Sequence, residues 1–98
     1  MILARVKGTV VSSQKTPEMG GVKLLLLEKV DPTSLKGKND FVVAMDSVGA
    51  GIDEIVLYVS GSGARLAENT KGLPTDATVT AIVDIIEKKG TITYQKNI

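Results

Sequence analysis

Four groups of residues in this 98-residue chain have types and spacings that invite a chemical reading. Gly49-Ala50-Gly51-Ile52-Asp53-Glu54 begins like a dinucleotide-binding fingerprint. Glu54 stands where the third glycine belongs, and the segment leads into a β-rich run where the fingerprint opens a helix, so a tight turn is expected. Gly61-Ser62-Gly63-Ala64-Arg65 offers consecutive backbone N–H groups with a guanidinium beside them, the makings of an anion site. The competing reading is a capped turn whose arginine forks onto a carboxylate, within the chain or across an interface. Arg65 is one of two arginines, and its planar fork suits a fixed partner better than lysine would. Ser12-Ser13-Gln14-Lys15 matches the opening of the penicillin-recognising serine pattern, but that chemistry needs further motifs and a much larger scaffold. The carboxylates of Asp46, Asp53, Glu54, Asp76 and Asp84 are scattered over turns and strand ends, with no spacing that requires a metal or an acid–base pair.

Composition narrows the chemistry further. With no cysteine there are no disulfides, thiolate metal sites or thiol nucleophiles. With no histidine the commonest general base is gone, and Ser62 has no imidazole to activate it. Neither a catalytic constellation nor a cofactor or metal site is expected. Twelve lysines and arginines against eleven acids leave a net charge of +1, which argues against binding driven by phosphate neutralisation. Three aromatics, Phe41, Tyr58 and Tyr94, are too few for a base-stacking platform. Charge at Arg5 and Lys7 interrupts the amino-terminal apolar stretch, and no run approaches the ~20 apolar residues of a membrane helix. A soluble, cytoplasmic protein is expected.

The elements that must position these groups are mostly strands. Ile2 to Val11 alternates, with Ile2, Ala4, Val6, Gly8 and Val10 on one side and Arg5, Lys7 and Thr9 on the other; Gly8 suggests a bend. A Ser/Pro/Gly-rich loop follows from Ser12 to Gly21. Val22 to Val30, with four consecutive leucines, reads as a strand covered on both faces. A polar connection from Asp31 to Asp40 leads to a strand over Phe41–Met45, a turn at Asp46–Asp53 and a strand over Glu54–Val59. Ser62 caps an expected short helix reaching Ala67 or Glu68. The β-branched content of Thr75–Ile86 predicts one strand, and Lys88-Lys89-Gly90 turns into a last short strand over Thr91–Gln95.

About five principal strands, one short helix and no crossover helices predict a mainly all-β domain over residues 1–98, a small five-stranded OB-like barrel. Such a barrel needs one apolar face per strand, and this chain has more. Leu25, Leu27, Val56 and Tyr58 lie out of phase with Leu24, Leu26, Ile55 and Leu57. Surplus apolar surface predicts a protein–protein interface, with shelter under the long loops as the alternative. Leu25 and Leu27 are taken as its interfacial members.

Five blocks in order carry a family likeness: Leu3-Ala4-Arg5-Val6-Lys7-Gly8-Thr9-Val10-Val11-Ser12, Gly21-Val22-Lys23-Leu24-Leu25-Leu26, Asp46-Ser47-Val48-Gly49-Ala50-Gly51 with Glu54, Gly61-Ser62-Gly63-Ala64-Arg65, and Pro74-Thr75-Asp76-Ala77 leading to Ala81-Ile82-Val83-Asp84. The chain resembles the EutN/CcmL family, the pentameric vertex proteins of bacterial microcompartment shells. Gly63 replaces a serine of the family pattern and Ala81 a glycine. The resemblance implies a non-enzymatic barrel assembled into a ring of five, in the shell within the bacterial cytoplasm. Itself and the hexameric shell proteins would be its partners, with no nucleic acid or membrane. Gly49, Gly51, Ser62 and Arg65 are then expected, with Leu25 and Leu27, at subunit contacts or the ring's opening. An OB-like module holding an oligonucleotide or oligosaccharide is the competing function.

Overall fold

The computed structural model describes residues 1–11, 23–61 and 76–96. Five strands, β1 (Ile2–Val10), β2 (Leu24–Val30), β3 (Gly37–Asp46), β4 (Ile55–Ser60) and β5 (Ala77–Ile82), close into a barrel in the order β1-β2-β3-β5-β4. All neighbours are antiparallel except β3 and β5, which run parallel through Met45↔Thr78 and Asp46↔Val79. This is the expected five-stranded barrel. No helix occurs among the described residues, and the one expected from Ser62 lies outside them.

Closure depends on β1 serving two neighbours. Its first half pairs with β4 on one edge, from Ile2↔Tyr58 to Arg5↔Ile55, and on the other edge it pairs with β2 from Ala4↔Lys29 to Val10↔Leu24. The register slips between Val6 and Gly8, so Lys7 is the extra residue of a bulge. A bulge bends its strand and increases local twist, which carries β1 round the corner. The bend expected at Gly8 is therefore present.

The barrel interior holds Ala4, Val6, Leu25, Leu27, Ala44, Ala50, Val56, Tyr58, Ala77 and Val79. Ala4 on β1 and Ala77 on β5, the two strands flanking β4, share this core with Tyr58, the largest fully buried side chain. Mixing small and large residues is how a narrow barrel fills without voids. Each fully buried Leu or Val contributes about 1.5–3 kcal/mol relative to exposure.

Two boundaries differ from the sequence reading. β3 starts at Gly37, four residues before Phe41. The polar Gly37–Asp40 segment is drawn into the sheet because Glu28 receives it: Asn39 N–H donates to Glu28 Oε2 at 3.0 Å. The carboxylate lies directly over Gly37, where an added Cβ would have to push it aside. The strand expected over Thr75–Ile86 is two strands. β5 stops at Ile82, Val83 N–H donates to Ile55 O at 2.9 Å, and β6 (Ile85–Lys88) leaves the barrel to pair with β7 (Thr91–Gln95). Lys89 and Gly90 both have positive φ, 51° and 83°. That two-residue turn matches strand twist and makes β6–β7 a tight hairpin, a separate two-stranded sheet.

Candidate functional site

The Asp46–Glu54 turn is built by two carboxylates. Asp46, with its side chain 1% exposed, accepts from the N–H groups of Val48 at 3.1 Å, Gly49 at 3.0 Å and Ala50 at 3.0 Å. Lys23 neutralises it at 3.8 Å and donates to Ala50 O at 3.2 Å. Gly49 sits at φ 77°, where an L side chain is strained, so glycine is required by the backbone. At the far end the Glu54 carboxylate accepts the Gly51 N–H and pairs with Lys96 at 3.1 Å. The Gly51 N–H foremost, then Lys96, hold the Glu54 carboxyl below its ordinary value; Glu54 in turn raises the Lys96 ammonium. Thus the backbone amides of the Gly49–Gly51 turn are committed to the chain's own carboxylates, as a tight turn requires.

Lys96 follows β7, so the Glu54 pair ties the turn to the hairpin. The Ile55 N–H points at the Tyr94 hydroxyl at 3.5 Å, and Lys96 N–H donates to Asp84 O at 2.8 Å. A cleft of about 410 Å³ separates hairpin from barrel, lined in part by Arg5, Asp53, Glu54, Tyr94 and Lys96. Arg5 Nη1 donates to Asp53 O at 2.9 Å, so both cations of the cleft are held by acceptors of the chain. No group of three or more Asp or Glu able to hold a metal occurs among the described residues.

Leu25 and Leu27 require a correction. Both are 0% exposed in the single chain, pointing into the barrel with Ala44 and Val42 as cross-strand partners. Side chains already enclosed offer no surface to a neighbour, so the outward phase is the other one. Leu24 and Leu26 face out and are half-buried, and Leu26 pairs with Val43 and Glu28 with Phe41. Phe41 and Val43 are each 47% exposed. The outer face of β2 and β3 therefore carries exposed apolar side chains, and the sequence reading did not single out Phe41 and Val43. Their alternation with Val42 and Ala44 was the available signal. Ser62 and Arg65 lie outside the described residues.

The model of the family described as ethanolamine utilisation protein EutN/carboxysome matches residues 1–84, the whole barrel. The chain belongs to the EutN/CcmL family. It is 47% identical to the carboxysome shell vertex protein CcmL of Nostoc sp. PCC 7120 over 96 residues, 98% of this chain and 95% of that protein. Among solved structures it is similar to Gloeobacter violaceus CcmL, with a TM-score of 0.89, 45% identity and 98% of each chain covered. It is also similar to GrpN, a pentameric microcompartment shell protein of Rhodospirillum rubrum, with a TM-score of 0.79, 39% identity, 90% of this chain and 99% of that one. The EutN/CcmL likeness carried by the five sequence blocks is thus confirmed.

Proposed function

We propose that this chain is a vertex protein of a bacterial microcompartment shell. Five copies close into a ring that occupies the corners which hexagonal tiles leave open. Its work is geometric: a flat hexagonal sheet cannot close into a polyhedron without five-fold points. The observation that carries this reading is family membership across the entire barrel, together with a 39% identical relative that is itself pentameric. The partners are further copies of this chain and hexameric shell proteins, and the site of action is the shell. A net charge of +1 limits repulsion between closely packed copies.

The geometry favours this role over an oligonucleotide- or oligosaccharide-binding barrel. Of the barrel's two aromatics, Tyr58 is enclosed in the core and Phe41 stands on the outer face. One exposed ring is no stacking surface. Gly49 and Gly51 shape a turn beside the hairpin, and Ser62 and Arg65 are assigned to the same contacts or the ring's opening on their sequence pattern. Native mass spectrometry of Arg65→Ala should then show a weakened pentamer; an unchanged oligomer and melting temperature remove Arg65 from the interface.

Coexpression with a hexameric shell protein tests the function. Electron microscopy should show closed polyhedra when this chain is present and open sheets or tubes when it is omitted. Equal closure in both cases would sink the proposal.

A further inference from the structure

The cleft between the β6–β7 hairpin and the barrel is lined by two opposite charges that the fold leaves unpaired. Arg5, half-buried on the barrel side, donates one N–H to the carbonyl of Asp53, and no carboxylate among the described residues pairs with its guanidinium. A carbonyl carries only a partial charge. The rest of the guanidinium fork is therefore left to take a planar oxyanion in two-point contact.

Asp53 supplies the opposite sign. Arg5 reaches its backbone carbonyl and not its carboxylate, which makes no hydrogen bond or ion pair among the described residues. The backbone at Asp53 has φ 69°, a conformation that glycine adopts without strain. An acid at this position thus costs conformational energy while its side chain braces nothing in the fold.

The other charges of the cleft are matched, since Glu54 and Lys96 pair at 3.1 Å. Two cations against two acids leave the cleft without net charge, a poor host for a polyanion. Its remaining wall offers the Tyr94 hydroxyl, the Gln95 amide and Ile52, an apolar side chain 56% exposed. The Tyr94 oxygen faces the Ile55 N–H at 3.5 Å, which leaves its own proton available to an acceptor in the cleft. The volume of about 410 Å³ is that of a small-molecule site.

We infer that this cleft binds a small zwitterion, an amino acid whose carboxylate lies on the Arg5 fork, whose ammonium meets Asp53 and whose short methylene stem covers Ile52. Tyr94 adds a donor to the carboxylate from the hairpin side. The ligand then bridges hairpin and barrel, beside the Glu54–Lys96 anchor. The site belongs to a single chain and stands apart from the ring reading.

Glycine, β-alanine and γ-aminobutyrate set the two charges progressively farther apart. Each is titrated into the isotope-labelled protein in its native assembly, with acetate and ethylammonium as single-charge controls at equal ionic strength. At least one of the three should shift the Asp53 and Tyr94 amide resonances saturably, with a dissociation constant about tenfold or more below that of either control. Arg5→Gln and Asp53→Asn should each weaken that binding by about tenfold, and asparagine tolerates the positive φ. Lys88→Gln at the hairpin tip should leave it unchanged. Should Arg5→Gln fail to fold, Arg5→Lys keeps the charge, loses the fork and should weaken binding in the same way. No saturable shift from any of the three overturns the inference. Acetate binding as tightly as the amino acids overturns it as well, because the site is then one for simple anions. Binding that survives Asp53→Asn removes the ammonium partner and the zwitterion with it.

Discussion

Glu54 does two jobs with one carboxylate, closing the Gly51 turn and holding Lys96 at the foot of the hairpin. Its pKa is depressed, so its contribution is complete above the ordinary value of 4.5 and disappears as pH falls through the lower folded value. The Lys96 pKa is raised, so that side of the pair is complete below 10.5 and is lost only as pH rises through the higher folded value. The anchor is therefore constant across neutral pH and fails first in acid. A titration of the Gly51 amide shift by NMR should show a midpoint below 4.5 in the wild type and no such step in Glu54→Gln. A Gly51 amide that titrates identically in both would assign the proton to another group. The Glu54→Ala change should cost about 1–3 kcal/mol, since it strands an amide donor and a lysine together. The carboxylate of Asp31 is likewise held well below its usual range, here chiefly by the Thr33 hydroxyl and then by the Ser34 and Thr33 amides, but that loop is local and exposed.

At the scale of elements, the two phases of β2 predict opposite phenotypes. Leu27→Ala removes a fully enclosed side chain and should destabilise the barrel by about 2–5 kcal/mol, read as an early melt in far-UV circular dichroism. Val43→Lys adds a charge to an outward, half-exposed position, so it should fold normally and lose the ring in sedimentation. Unfolding by Val43→Lys, or a monomeric but fully stable Leu27→Ala, would reverse the assignment of faces. The strands themselves were legible in the sequence, because β-branched runs broken by glycine and charge admit few alternatives. Which face was inner was not. Leu24 and Leu26 lead in phase to Glu28, and Leu25 and Leu27 to Lys29, so each face ends on a charge. The structure settles it by putting Lys29 at the barrel's rim, 3.2 Å from Asp40, which with the Tyr58 hydroxyl raises its pKa. The hairpin was half legible. Its Lys89-Gly90 turn shows in the sequence, but the departure of β6 from the barrel depends on the tertiary bond from Val83 to Ile55. The turn at Gly49 and Gly51 was recognisable from its glycines, whereas its two carboxylate braces depend on folding.

For the whole molecule, the barrel is sufficient as a core and incomplete as a surface. Interior leucines and alanines close one chain on itself, while Phe41, Val43, Ile85 and Ile92 remain in contact with solvent in the single chain. That division between a finished core and an unfinished surface is what an obligate ring component requires, since obligate interfaces resemble a domain core cut in half. Native mass spectrometry of the purified wild-type chain, taken down a dilution series to low micromolar concentration, tests the account most directly. A single species of five chains is the predicted result. A monomer at every concentration, or a stable ring of six, would contradict a vertex protein that supplies five-fold curvature.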